Sequence, residues 1–248
     1  MSNTENLSKL LDSVYLGGGD VNIKGCVLTI TSNTAQILAA DLMTSLYVQS
    51  KYEFISDEDF VLGIGDLPLF IKLVKSLGAV PIDLSVTNGN KLQIKPTNKS
   101  SVKYLLGQVD LITNYDAEWE DAGDRVAELL EEYTGSLDLT DAVAIDEILR
   151  MVGVLGTSNM KIVISKRGEV SIQGGTENTH EFSVVLGKCK EFTEGSINVF
   201  GPHVIAILKA LDPNDSPTLH LHEAPGMPIV INSAHTGWIL NPQADDVE

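Results

Sequence analysis

Three of the histidines, two cysteines and two glycine-rich turns are the places in this sequence where side chains could do chemistry. His220 and His222 alternate along a segment that reads as a strand, so their imidazoles share one face. Glu223 follows directly, and His235 is the third imidazole in the same part of the chain. Such a set could hold zinc and support a His-based metallohydrolase. The spacing matches no metal-ligand signature, however, and histidines on exposed strands are common, so no metal is expected. Cys189 sits in GKCKEF between lysines that would lower a thiol's pKa. No base accompanies it, and an inert thiol is the expectation. GIGDLP at 63–68 and GGGD at 17–20 lack the spacing of dinucleotide or phosphate loops. No catalytic residue is assigned, no cofactor is implied, and the chain is not expected to be an enzyme.

A second set of residues suggests non-covalent chemistry. LPLFIKLVKSL at 67–77 and GPHVIAILKAL at 201–211 read as the same short helix written twice, 134 residues apart. Each has a proline in its first turn, where a missing N–H costs little, and a lysine late on its polar side. In the first, Lys72, Lys75 and Ser76 oppose Leu67, Phe70, Ile71, Val74 and Leu77. In the second, Lys209 shares a stripe with Ala206 and Ala210. Ammonium groups on the outer faces of helices suit a phosphate backbone.

The elements around them repeat in the same order. TENLSKLLDSVYL has Leu7, Leu10, Leu11 and Val14 at helical spacing, with Thr4 or Asn3 as cap and the glycines at 17–19 as stop. VNIKGCVLTITSN and AQILAADLMTSLYVQSKYEF read as strands, followed by the proline-led helix, which stops at Gly78. IDLSVTNGNKLQIK is a hairpin about Asn88-Gly89, and SVKYLLGQVDLI is one more strand. After an acidic stretch, DAVAIDEILRMVGVLG is again helical through Ile145, Ile148, Leu149 and Val152. NMKIVISKRGEVSIQGG is a hairpin turning at Arg167-Gly168, HEFSVVLGK is a strand, and the second proline-led helix follows. TLHLHEAPGMPIVIN turns at Pro225-Gly226, and TGWILNPQ ends the order. Each half is therefore helix, strands, helix, hairpin, strand. The expected division is residues 1–114, a connector at 115–140, residues 141–243 and an acidic tail at 244–248.

Charge is segregated. The chain has 34 acidic and 17 basic residues, a net −17, which taken alone argues against nucleic acid. The connector holds nine of the acids against the single Arg125, and its centre, RVAELLEEY, could form a short helix. On the four helix stripes, Lys9, Lys72, Lys75, Arg150 and Lys209 stand against Asp12 and Glu147, five basic less two acidic, or about +3. No apolar run reaches the roughly 18 residues of a membrane span, and MSNTENLSKLLD has no signal-peptide character. Two cysteines fit a reducing, intracellular compartment.

The repeat and the charge segregation, together with PLFIKLVKSL, PHVIAILKAL, AADLMTSLYVQ, MKIVISKRGEVSIQGG and MPIVINSAHTGWILNPQ, resemble the DNA sliding clamps of the two-domain, trimeric type. That family includes proliferating cell nuclear antigen and the clamps of T4-like phages. The resemblance covers essentially the whole chain, without a short diagnostic signature. It implies an α+β DNA-clamp fold of two similar domains, each with two helices on antiparallel sheet, closed head to tail into a pseudo-sixfold homotrimeric ring. The implied function is that of a polymerase processivity factor encircling duplex DNA without sequence preference. Implied partners are double-stranded DNA, a DNA polymerase, a clamp loader and further copies of the chain, with no membrane. The compartment would be the cytoplasm or nucleoid of a prokaryotic or phage-infected cell, or a eukaryotic nucleus. The resemblance places Lys9, Lys72, Lys75, Arg150 and Lys209 on the DNA-facing lumen. It places Ala40, Leu42, Leu46, Pro228, Trp238, Ile239 and Pro242 around a pocket for a partner peptide. Strands near 102–109 and 181–186 would form the subunit joint through Lys103, Leu105, Leu106, Glu181, Ser183 and Val185, with Lys99 or Lys103 meeting Glu181. A structural ring-forming viral protein would share the repeat without needing basic stripes.

Overall fold

Leu7, Leu10, Leu11 and Val14 do form one face of a helix. In the computed structural model α1 spans Asn3–Tyr15, and all four side chains are fully buried. The structure describes residues 3–18, 21–87, 90–97, 100–112, 125–156, 159–175, 180–189, 194–224 and 226–243. The turn residues Asn88, Gly89 and Pro225, Lys99, the connector up to Asp124 and the acidic tail lie outside the described residues. Thr4 does not cap α1; it lies inside the helix, and its hydroxyl donates to the carbonyl of Val80.

The chain divides into two compact units, Met1–Gly123 and Asp124–Glu248. In the first, four antiparallel strands follow α1: β1 (Cys26–Ile30), β2 (Thr34–Ala40), β3 (Leu46–Glu53) and β4 (Phe60–Ile64). Helix α2 (Leu67–Leu77) comes next, then β5 (Ile82–Thr87), β6 (Lys91–Pro96) and β7 (Val102–Leu105). Hydrogen bonding runs in the orders β4-β1-β2-β3 and β5-β6-β7. α1 packs on β2, β3 and α2. Asp66 starts α2, its carboxylate accepting from the Leu69 amide at 2.9 Å, with Pro68 in the first turn and Gly78 at the end. Burying Leu7, Leu10, Leu11, Phe70 and Val74 contributes about 1.5–3 kcal/mol each before chain entropy is counted.

The second unit begins with α3 (Arg125–Leu130) and β8 (Gly135–Asp138). It continues through α4 (Ala142–Leu155), β9 (Asn159–Ile164), β10 (Glu169–Gly174), β11 (Phe182–Lys188), β12 (Gly195–Phe200) and α5 (Gly201–Ala210). β13 (Thr218–Leu221), β14 (Ile229–Asn232) and β15 (Thr236–Leu240) close it. Here the orders are β12-β9-β10-β11 and β15-β14-β13-β8. The first reproduces β4-β1-β2-β3 strand for strand, and β13-β14-β15 reproduces β5-β6-β7. The duplication expected from the two helices thus extends to strand order. Gly168 makes the β9–β10 turn at φ 74°, and a Cβ there would collide with the Cys189 carbonyl. That turn is the Arg167-Gly168 reversal read in the sequence.

The structure adds four strands to the sequence reading, the first by dividing AQILAADLMTSLYVQSKYEF into β2 and β3. β4 and β12 occupy the same place in each half, just before the proline-led helix, and β8 lies inside the expected connector. Because β8 pairs with β13 and α3 packs on β14 and β15, residues 125–140 belong to the second unit rather than to a separate linker.

Candidate functional site

Each unit presents a pair of adjacent helices, α1 with α2 and α4 with α5. On the first pair Glu5, Lys9, Asp12, Lys72, Lys75 and Ser76 are exposed. Lys75 Nζ lies 2.8 Å from Asp12 Oδ1, with both side chains about half exposed, an ion pair that contributes little stability. On the second pair Asp146, Glu147, Arg150 and Lys209 are exposed, and Arg150 lies 3.8 Å from Glu147. Glu5 and Asp146 point outward with the five cations, so the four helices carry five basic against four acidic residues, a net +1 rather than +3. Ala206 is turned inward at 9% exposure instead of sharing the stripe of Lys209. Among the described residues Lys72 and Lys209 form no ion pair, which leaves them as the cations most available to a phosphate.

Among the strands that end their hydrogen-bonded runs are β7 in the first unit and β11 in the second. On β7 the alternation sends Lys103 and Leu105 outward and Tyr104 inward. The Tyr104 hydroxyl donates to the Asp66 carbonyl at 3.1 Å and accepts from the Asp66 amide at 3.0 Å, tying β7 to the start of α2. Its ring meets Phe70 edge-on at 4.9 Å. On β11 Ser183 and Val185 point out while Phe182, Val184 and Leu186 point in, and Glu181 just ahead of the strand is exposed. Leu105 is 67% and Val185 55% exposed, large values for apolar side chains on strands. Leu106 differs from expectation: it is buried at 7% and faces the interior.

The residues expected around a peptide pocket divide by burial. Ala40, Leu46, Trp238 and Ile239 are buried, Pro228 and Pro242 are half-buried, and Leu42 is exposed. Strand alternation separates Trp238 from Ile239. The register places Leu219, Ile231 and Trp238 in one row and His220, Val230 and Ile239 in a row on the opposite face. Leu219, Ile231 and Trp238 are all at or below 3% exposure, which makes Trp238 a core residue. Leu42 and Met43 are displayed by a turn in which the Asp41 carboxylate accepts from the amides of Met43 and Leu46 and the hydroxyl of Ser45.

The sequence reading missed a group in the second unit. α3 lies against β14 and β15 with Val126 over Gly237, where a Cβ would collide with the valine methyls. Beyond α3, the Tyr133 hydroxyl donates to the Pro228 carbonyl at 2.6 Å, and the ring meets His222 edge-on at 5.4 Å. Burial, with the Glu132 charge adding to it, pushes the Tyr133 phenol up to about 12, so it stays a donor at neutral pH. An aromatic residue at the end of an acidic run was the available signal.

The residues first considered for chemistry are engaged structurally. His220 Nε2 lies 2.7 Å from Asn232 Oδ1, and partial burial lowers its pKa against the opposing pull of that hydrogen bond. His222 Nδ1 accepts from the Ala224 amide at 2.9 Å. No cluster of three or more His, Cys, Asp or Glu suited to a metal occurs among the described residues. Cys189 and Cys26 are buried free thiols, and burial drives that of Cys26 up. Gly63, which lies in β4 rather than in a turn, is needed for backbone approach: a Cβ there would meet the Gly107 carbonyl at 2.6 Å.

No protein-family model matches the sequence, and no curated protein sequence matches it. Solved structures do match. The chain is similar over 99% of its length to the Helicobacter pylori beta clamp bound to a DNA ligase peptide, with a TM-score of 0.67, 16% identity and 67% of that chain covered. A putative DNA polymerase III beta subunit from Eubacterium rectale aligns over 99% of this chain and 65% of its own, with a TM-score of 0.73 and 13% identity. Proliferating cellular nuclear antigen from Entamoeba histolytica aligns over 97% and 96%, with a TM-score of 0.68 and 13% identity. The chain therefore spans about two thirds of the two bacterial proteins and nearly all of the third, and its fold is that of the DNA clamps.

Proposed function

We propose that this chain is a DNA sliding clamp, a processivity factor that encircles duplex DNA and tethers a polymerase and other replication proteins, and that it is not an enzyme. The observation that carries the reading is the end-to-end likeness to clamps of a chain with two duplicated helix-pair units. Four such helices per chain suit a homotrimer. Twelve helices spaced about 10 Å apart make a circle roughly 120 Å around, with an opening of about 25–30 Å, enough for a duplex. The joint would pair β7 of one copy with β11 of the next, bringing the exposed Leu105 and Val185 into it. Head-to-tail contacts of this kind close only if the rotation per subunit is right.

A ring holds DNA by topology, so affinity need not be high. A lumen of net +1 per chain suits sliding better than gripping, while acid elsewhere discourages DNA on the outer surface. Lys72 and Lys209 would supply most of the contact with phosphates, and no side chain need read a base. A clamp loader and a polymerase segment would complete the system inside a cell, with the segment docking near the displayed Leu42. Tethering raises the polymerase's local concentration at the primer end.

Primer extension on singly primed circular DNA tests this reading. Adding the chain with its loader and polymerase should lengthen the product per binding event. The Lys72→Glu/Lys209→Glu variant should remain folded and lose most of the gain. If the wild-type chain forms rings but product length does not change, a structural ring protein is the better description.

A further inference from the structure

The three-stranded sheet of the first unit carries a charge that its duplicate in the second unit lacks. Strand alternation turns Leu92 and Ile94 of β6 and Tyr104 of β7 to the interior, where Tyr104 meets Phe70 of α2. The register sets Lys91, Gln93 and Lys95 on the opposite face, away from α2, with Lys103 across from Gln93 and Asp83 across from Lys95. At about 3.4 Å per residue and about 4.8 Å between strands, the Lys103 backbone stands about 8 Å from that of each other lysine. All three lysines are exposed, and none forms an ion pair among the described residues. Residues 84–109 hold four of the 17 basic residues and no acidic one, in a chain of net −17.

The fold does not need these charges. β13-β14-β15 repeats the strand order, and residues 217–243 contain no lysine or arginine. Lysine on a sheet can guard an edge against strand addition, but β6, which carries two of the three, is the middle strand. The ammonium groups repel one another, so an anion lying across them relieves a repulsion built into the free chain.

The chemistry favours a protein segment over a nucleic acid. Among the described residues the face exposes no aromatic ring on which a base could stack and no arginine fork for a phosphate. Asp83 interrupts the positive track that a phosphate backbone would follow, whereas a peptide can set an uncharged residue there. Alternate side chains of an extended segment lie about 6.8 Å apart, so about five residues span the three lysines. The acidic remainder of the chain repels such a segment and steers it here. We infer that this face is a docking site for an extended segment of a partner protein with carboxylates on alternate residues. Under the clamp reading the face lies opposite the DNA-facing helices, but the inference needs only the first unit.

The test uses the full chain and a fluorescein-labelled ten-residue peptide of alternating glutamate and serine, with binding read by anisotropy in 50 mM salt. The wild type should bind the peptide and release it in 1 M salt. Lys91→Gln/Lys95→Gln should weaken binding about tenfold, and Asp83→Asn should strengthen it about threefold, the scale of exposed charge contacts. Lys91→Arg/Lys95→Arg, which keeps the charge, should bind at least as tightly as the wild type. Lys72→Gln/Lys209→Gln, on the helices, should bind equally. These side chains are exposed, so the variants should fold, and Lys103 is left intact because the proposed joint uses β7. No binding by the wild type, or unchanged binding by Lys91→Gln/Lys95→Gln, overturns the inference. So does a ten-nucleotide thymidine strand that competes as well as the unlabelled peptide, since the face would then be a nucleic-acid surface. A chain that binds the peptide as stated but fails to stimulate a polymerase refutes the clamp reading alone.

Discussion

Replacing Leu105 and Val185 together by serine probes the proposed joint without disturbing either unit, since both side chains already face solvent. Leu105 is 67% and Val185 55% exposed in the single chain. Full burial of such side chains contributes about 1.5–3 kcal/mol each, so completing the burial of these two in a joint is worth about 2 and about 1 kcal/mol. Losing about 3 kcal/mol per joint weakens association roughly 150-fold. Light scattering over a dilution series reads this directly. The wild type should have a mass of about 80 kDa, three chains of 26.7 kDa, and the double variant should fall toward one chain at concentrations about two orders of magnitude higher than the wild type does. Val143→Ser, on a still more exposed side chain of α4 at 77%, should leave the mass unchanged. The reasoning fails if the double variant keeps its mass to the same dilution as the wild type, or if Val143→Ser dissociates as readily.

Lys75→Glu should reduce polymerase stimulation less than Lys72→Glu, because Lys75 is already paired with Asp12 at 2.8 Å and Lys72 forms no ion pair among the described residues; primer-extension lengths at matched salt would show it. His220 has a folded-state pKa below its ordinary value because burial disfavours the charged ring. Its contribution to stability is therefore complete above about pH 6.5 and is lost as pH falls below that, since the unfolded chain then takes up the proton first; thermal unfolding between pH 7.5 and 5 should show that decline, flattened in His220→Gln.

Much of the fold was legible because local signals and tertiary demands coincide. Pro68 and Pro202 mark helix starts, and Gly168 marks a turn that only glycine fits comfortably. β4 and β12 escaped for related reasons. FVLGI ends in three buried residues and shows no alternation, and GSINVF is half-buried along most of its length. Neither carries a period-two signal. β8 is four residues, GSLD, whose strand character comes from pairing with β13 some 80 positions away, which no local pattern reports. At the candidate sites, residue type was readable and direction was not. Glu5 and Asp146 share the outer faces with the lysines, Leu106 turns inward, and Trp238 lies one position from Ile239 on the opposite side of the strand. A shift of one residue along a strand exchanges core for surface, and composition is silent about that choice.

The central claim is that copies of this chain close around a duplex. Mixing the Leu105→Cys/Val185→Cys variant with nicked circular DNA, sealing the joints with a bismaleimide and washing in 1 M salt, where charge contacts are screened beyond about 3 Å, measures that closure. The protein should stay on the circle through the wash and leave when the DNA is cut once with a restriction enzyme. Sealed rings that wash off the uncut circle as fast as off linear DNA would contradict the account.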